Sequence, residues 1–111
     1  MQLSDCTITG TQGADILSGT SGADVICGLA GSDTIDGASG NDRIIAGSGS
    51  DIVMGGSGAD DIDGGPGDDR LEGGSGNDRL TGGPGVDVLF GGSGTDNCAA
   101  DPGDIVTTCN P

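Results

Sequence analysis

The chain has no histidine, lysine, tryptophan or tyrosine, and Phe90 is its only aromatic residue. Lack of histidine removes the commonest general base and, with it, any Ser-His or Cys-His nucleophile pair. No GxGxxG, HExxH or GxSxG pattern occurs, so nothing reads as an enzyme. Positive charge is scarce: three arginines stand against 18 acidic residues, for a net charge of −15. Nucleic acid and anionic membrane surfaces would be repelled, which argues against both as direct partners and for a cation. No apolar run approaches the roughly 20 residues of a membrane span. No charged-then-apolar start reads as a secretory signal. Met1 is compatible with an initiator set before a mature or excised segment, so the start of the chain does not decide location.

At 111 residues and 10.5 kDa the chain makes one domain with a marginal conventional core. Only 32% of residues are apolar, Ala and Cys among them, while glycine takes 26 positions. Such a balance ordinarily means disorder. The order here lies in a period.

An aspartate recurs every nine residues: Asp15, Asp24, Asp33, Asp42, Asp51, Asp60, Asp69, Asp78, Asp87 and Asp96. Two residues before each stands a glycine: Gly13, Gly22, Gly31, Gly40, Gly49, Gly58, Gly67, Gly76, Gly85 and Gly94. Two residues after each stands an aliphatic: Leu17, Ile26, Ile35, Ile44, Val53, Ile62, Leu71, Leu80 and Leu89, with Cys98 closing the series. Five residues before each aspartate glycine returns, Ala46 alone excepted. The best copies, such as Gly64-Gly65-Pro66-Gly67-Asp68-Asp69-Arg70-Leu71-Glu72, read G-G-x-G-x-D-x-U-x, with U a large aliphatic.

Ten in-frame copies over residues 10–99 resemble the RTX family of calcium-binding nonapeptide repeats. The resemblance implies a haemolysin-type β-roll that takes calcium. In that family such repeats often adjoin a protease or lipase domain.

The residues support the same fold on physical grounds. The triplet x-U-x suits a very short strand with U inward and its neighbours outward. The six residues before it, rich in glycine and ending in aspartate, suit a turn with several positive φ values. Two such units make a coil of eighteen residues, and coils stack as parallel strands about 4.8 Å apart. The expected fold is all-β: a parallel β-roll of two facing short-strand sheets, with the U residues filling the gap.

Stacking sets like-charged aspartates above one another, Asp15, Asp33, Asp51, Asp69 and Asp87 on one edge and Asp24, Asp42, Asp60, Asp78 and Asp96 on the other. Such a ladder is tolerable only with positive charge between its rungs. Carboxylate and carbonyl oxygens, without imidazole or thiolate, select calcium over zinc or copper. Magnesium would demand tighter octahedral geometry. If the chain follows the family, each ion lies between turns eighteen residues apart. The lower turn offers the carbonyls four and two before its Asp, the upper turn those five and three before its own, and both aspartates join. For Asp51 and Asp69 those carbonyls belong to Gly47, Gly49, Gly64 and Pro66. Gly56, Gly65, Gly73, Gly74, Gly82 and Gly91 hold equivalent places in other turns. Four gaps on each edge set a ceiling of about eight calcium ions. The position four before Asp is Thr11, Thr20, Leu29 and Ala38 in the first repeats and glycine afterwards. If it needs positive φ, the early turns are strained and the later gaps bind best.

Residues 1–9 and 100–111 read as caps, with Ile8 in the U frame and Cys6 in the Asp place. Near the other end Asp104 comes one residue early, before a degenerate strand around Val106. Neither end is expected to bind metal. The four cysteines fit no zinc spacing, and an even count points to disulfides and a secreted, extracellular setting. Of three connectivities, Cys6–Cys27 with Cys98–Cys109 clamps each open end, where edge strands otherwise invite aggregation.

Outward positions are mixed. Arg43, Asp61 and Arg79 form a cross-strand charge ladder, an ordinary solvated face. Ile52, Met54, Val88 and Phe90 flank Arg70 and Glu72, an apolar face open to a second copy or a protein partner. Ser21, Ser39, Ser57, Ser75 and Ser93 line one file of turns, with Asn41 and Asn77 nearby. Together these features describe an extracellular calcium-binding module that folds on binding its ions. An adhesin, a spacer, an ice-binding module, or an accessory domain detached from a secreted hydrolase remain open alternatives.

Overall fold

The computed structural model describes residues 6–109; the remainder of the two expected caps, residues 1–5 and 110–111, lies outside the described residues. The strands are β1 Ile8–Thr9, β2 Ile16–Ser18, β3 Val25–Cys27, β4 Thr34–Asp36, β5 Arg43–Ile45 and β6 Ile52–Met54. They continue as β7 Asp61–Asp63, β8 Arg70–Glu72, β9 Arg79–Thr81, β10 Val88–Phe90, β11 Asn97–Ala99 and β12 Ile105–Thr107. Odd and even strands separate into two six-stranded parallel sheets, β1-β3-β5-β7-β9-β11 and β12-β10-β8-β6-β4-β2. The fold is a parallel β-solenoid of about six turns with coils about eighteen residues apart, as the period requires.

Register follows the aliphatic column. Leu17, Ile35, Val53, Leu71, Leu89 and Val106 align across one sheet. Ile8, Ile26, Ile44, Ile62, Leu80 and Cys98 align across the other. From Ile26 to Leu89 every aliphatic in these columns is fully buried. A three-residue strand can bury only its central side chain, so each coil contributes two large aliphatics and the core is a narrow double file. In the last strand among the described residues, Val106 holds the core register and is 43% exposed.

Both disulfides form as expected, Cys6–Cys27 and Cys98–Cys109. The first ties the strap before β1 to the end of β3; the second ties β11 to the segment after β12. Each holds a terminal coil on the stack and restricts the unpaired strand there.

Turn geometry departs from expectation at one place. Leu29 and Ala38 do adopt the left-handed region, with φ of 69° and 70°. For residues carrying a Cβ this costs about 1–2 kcal/mol each. The strain expected at Thr11 and Thr20 is absent, since neither threonine has positive φ, and Gly13 and Gly22 share the difference. Their turns take another conformation, for a reason found in the side chains.

On the outer faces Arg43, Asp61 and Arg79 sit in one cross-strand row. The short ion pair found among the described residues is instead Arg70 with Glu72, 3.5 Å apart on β8. Arg70 also lies over the Phe90 ring, 5.0 Å from its centroid. Ile52 and Val88 flank Arg70, and Met54 and Phe90 flank Glu72, with Ile52 and Met54 exposed.

Candidate metal centre

Each edge of the roll carries an unbroken chain of aspartates. The backbone N–H of Asp15, Asp33, Asp51 and Asp69 donates to Oδ1 of Asp33, Asp51, Asp69 and Asp87 respectively, at 2.7–2.8 Å. On the opposite edge Asp24, Asp42, Asp60 and Asp78 donate to Oδ1 of Asp42, Asp60, Asp78 and Asp96 at 2.8–2.9 Å. One carboxylate oxygen per rung is thus spent on holding coil to coil. The structure brings together on each edge the aspartates the period places there.

The other oxygen is different. Among the described residues, Oδ2 of Asp33, Asp42, Asp51, Asp60, Asp69, Asp78, Asp87 and Asp96 is buried and has no hydrogen-bond partner. These eight carboxylates are at most 3% exposed. A buried anionic oxygen without a donor is costly, by about 1–3 kcal/mol or more for a charged group. Repeating it eight times in two files calls for a common ligand.

The backbone supplies further oxygens. In the gap between the turns of Asp60 and Asp78, the point where a Cβ would stand on Gly55 lies 2.7 Å from Asp60 Oδ2 and 2.8 Å from the Gly73 carbonyl oxygen. The Gly56 and Gly58 carbonyls abut Gly74 and Gly76 of the coil above. Carbonyls five before the upper Asp therefore reach down, while those four and two before the lower Asp reach up. The same upward pattern holds for Gly47, Gly49, Gly65 and Gly67, and for Gly31, Gly40 and Gly76, whereas at Gly13 and Gly22 the carbonyl carbon lies about as near the coil above as the oxygen. Downward carbonyls include those of Gly82 and Gly91. Pro84, three before Asp87, also points down and accepts from Gly67 N–H at 3.1 Å. Glycine at the upper position is required by this approach: a Cβ on Gly65, whose φ is 77°, would stand 2.7 Å from the Gly47 oxygen. Gly64, Gly74 and Gly85 stand five, four and two residues before the aspartates of their turns, Asp69, Asp78 and Asp87.

Burial raises the proton affinity of the rungs. It pushes Asp60 and Asp69 up to about 7 and Asp51 and Asp78 up to about 6, while Asp33, Asp42 and Asp87 are also raised. Negative charge on neighbouring rungs adds to the effect, and the N–H donated from the coil below opposes it. Among the described residues no three His, Cys, Asp or Glu side chains gather into a ready-made cluster. A cation here would have to be held by paired carboxylates completed with carbonyls. That donor set is all oxygen, and all four cysteines are in disulfides. It suits a hard cation of six or more ligands.

Three residues noted in the sequence take a part in the ladder that sequence reasoning did not assign them. Asp104 Oδ1 accepts Asp87 N–H at 2.7 Å, so the ladder on that edge runs one rung further than the nine-residue frame. Asp104 Oδ2 accepts Asp101 N–H, which leaves neither oxygen open. The early placement of Asp104 was the visible signal, and the shorter turn before it absorbs the missing residue. Thr11 and Thr20 are the other two, each bonded to the aspartate of its own turn.

The family model for the RTX calcium-binding nonapeptide repeat (4 copies) matches residues 7–35, 28–62, 36–71 and 63–98. Neither curated proteins nor solved structures give a match. Among the described residues no helix is long and apolar enough to cross a membrane. With stacked G-G-x-G-x-D turns, two parallel sheets and repeat matches running from residue 7 to 98, the chain belongs to the RTX calcium-binding nonapeptide-repeat family.

Proposed function

We propose that this chain is a calcium-binding module that folds around calcium ions lodged between successive turns, and that it works outside the cell. The observation that carries the reading is the double file of buried, donorless Asp Oδ2 atoms. In a filled gap the lower and upper aspartates, the carbonyls four and two before the lower one, and those five and three before the upper one form the ligand set. For the Asp51–Asp69 gap these are Gly47, Gly49, Gly64 and Pro66. Six oxygens lie within the range calcium accepts. A carboxylate between two filled gaps then serves the ions on both sides of its coil.

Calcium would neutralise the repulsion between rungs and supply the partner that Oδ2 lacks, so binding and folding are one equilibrium. Where calcium is scarce the charged ladder opposes stacking; at extracellular, millimolar calcium the roll closes. Two disulfides, which persist in oxidising compartments, and the occurrence of these repeats in secreted proteins support the extracellular setting. Affinity per site is expected between about 10⁻⁵ and 10⁻³ M, as for extracellular calcium modules. Isothermal titration with calcium, and separately with magnesium, tests the reading. Saturable multi-site uptake of calcium with magnesium failing to compete at equal concentration supports it; no calcium uptake up to 10 mM, roughly tenfold above the weak end of that range, overturns it.

A further inference from the structure

The first coil is the exception to the open ladder. Thr11 N–H donates to Asp15 Oδ2 at 2.6 Å, and the Thr11 hydroxyl lies 2.9 Å from Oδ1 and 3.2 Å from Oδ2. Thr20 repeats this on Asp24, with its N–H at 2.7 Å from Oδ2 and its hydroxyl 3.0 and 3.1 Å from the two oxygens. Each threonine oxygen also accepts the N–H two residues on, Gly13 or Gly22, at 3.2 Å. From the third repeat onward the equivalent residue is Leu29, Ala38 or glycine, which brings no hydroxyl, and its positive φ fits a turn in which Oδ2 has no donor.

We propose that this first coil is built to close without calcium, the Thr11 and Thr20 hydroxyls and amides standing in for the cation that later turns need. The inference rests on the calcium role assigned above to the later turns. A charge-assisted pair of donors satisfies the carboxylate within its own five-residue turn. The Cys6–Cys27 disulfide encloses both turns in one loop, and Ile8 pairs with Ile26 inside it. This gives a covalently closed starting coil on which the calcium-dependent coils stack. The Asp15–Asp33 and Asp24–Asp42 gaps are then not ion sites. Three gaps between repeat aspartates remain on each edge, or about six ions in place of the ceiling of about eight; the open Oδ2 atoms of Asp87 and Asp96 belong to the last repeat rung of each edge and add no gap of this kind.

Two measurements on the full oxidised chain test this. Calcium stoichiometry by equilibrium dialysis should be about six in the native sequence and should rise towards about eight in T11G/T20G, whose first turns match the later ones. About eight ions in the native chain, or an unchanged count in a folded T11G/T20G, overturns the proposal. Amide exchange in excess chelator supplies the second test and needs no calcium. Protection at Gly13 and Gly22 should survive in T11S/T20S, which keeps the hydroxyl, and fall about tenfold in the isosteric T11V/T20V. Equal protection in the Ser and Val variants overturns it. Should no variant take up calcium, the reading of the later turns fails, and the exchange comparison alone decides the part played by the threonines.

Discussion

The backbone N–H of Asp51 donates to Oδ1 of Asp69 at 2.8 Å, while Oδ2 of the same Asp69 is buried with no donor. One carboxylate therefore both stitches two coils together and leaves an unanswered negative charge in the gap. This division gives each rung opposite effects with and without a cation.

Asp69→Asn should show that opposition. Asparagine keeps an acceptor for Asp51 N–H, and its amide would face the gap that the Gly82 carbonyl enters: a Cβ on Gly64 would stand 2.7 Å from Asp69 Oδ2 and 3.0 Å from the Gly82 oxygen. In chelator the variant should be more stable than the native chain by about 1 kcal/mol. In calcium it should need roughly tenfold more ion to reach half-folding, having lost one ligand charge from two gaps. Paired chelator and calcium titrations followed by circular dichroism separate the two signs.

Acid should stabilise the calcium-free roll. Burial places Asp60 and Asp69 at about 7 and Asp51 and Asp78 at about 6 when folded, above their ordinary 3.8. Between those limits the folded chain binds more protons than the unfolded one, so stability falls as pH rises. The contribution is complete below about pH 4 and is lost through pH 6–7. Strand content of calcium-stripped protein should therefore rise from pH 7.5 to 4.5. Strand content that falls or stays unchanged over that window contradicts the assignment of buried, unpaired rungs.

Turn glycines should divide into two classes. Gly73→Ala would set a Cβ 2.6 Å from Asp78 Oδ2 and 2.7 Å from the Gly91 oxygen, inside the gap itself. A loss of about 1–3 kcal/mol is expected, with weaker calcium uptake. At Gly13 a Cβ meets only the Thr11 hydroxyl oxygen, at 3.9 Å, so Gly13→Ala should stay within about 0.5 kcal/mol. Thermal melts in saturating calcium compare them directly.

The period carried most of this structure. A strict nine-residue spacing of Asp33, Ile35 and their counterparts leaves one way to bury the aliphatics and stack the carboxylates, so fold, edges and register were all legible. Disulfide pairing was legible because only Cys6–Cys27 and Cys98–Cys109 clamp the two ends. Less legible were events within single turns. Thr11 and Thr20 occupy a position read as a strained substitute for glycine, yet a hydroxyl four residues before an aspartate offers that aspartate a donor and changes the turn. Asp104 sits out of frame by one, and only the backbone path shows that a shorter turn still delivers it to Asp87.

Removing the Cys98–Cys109 bridge should loosen the β11–β12 end of the stack. A double Cys98→Ser, Cys109→Ser variant should lose about 2–4 kcal/mol in calcium, since the bridge closes a loop of sequence separation 11. Thermal melts should show the lower transition without loss of the strand spectrum at 25 °C.

The most direct test is far-ultraviolet circular dichroism of the oxidised chain during titration from excess EGTA into millimolar calcium. The account predicts little strand signal in EGTA beyond the disulfide-closed first coil, then a cooperative gain of strand as the gaps between Asp33 and Asp96 fill. A full strand spectrum with a cooperative melt in EGTA, unchanged by added calcium, would contradict it.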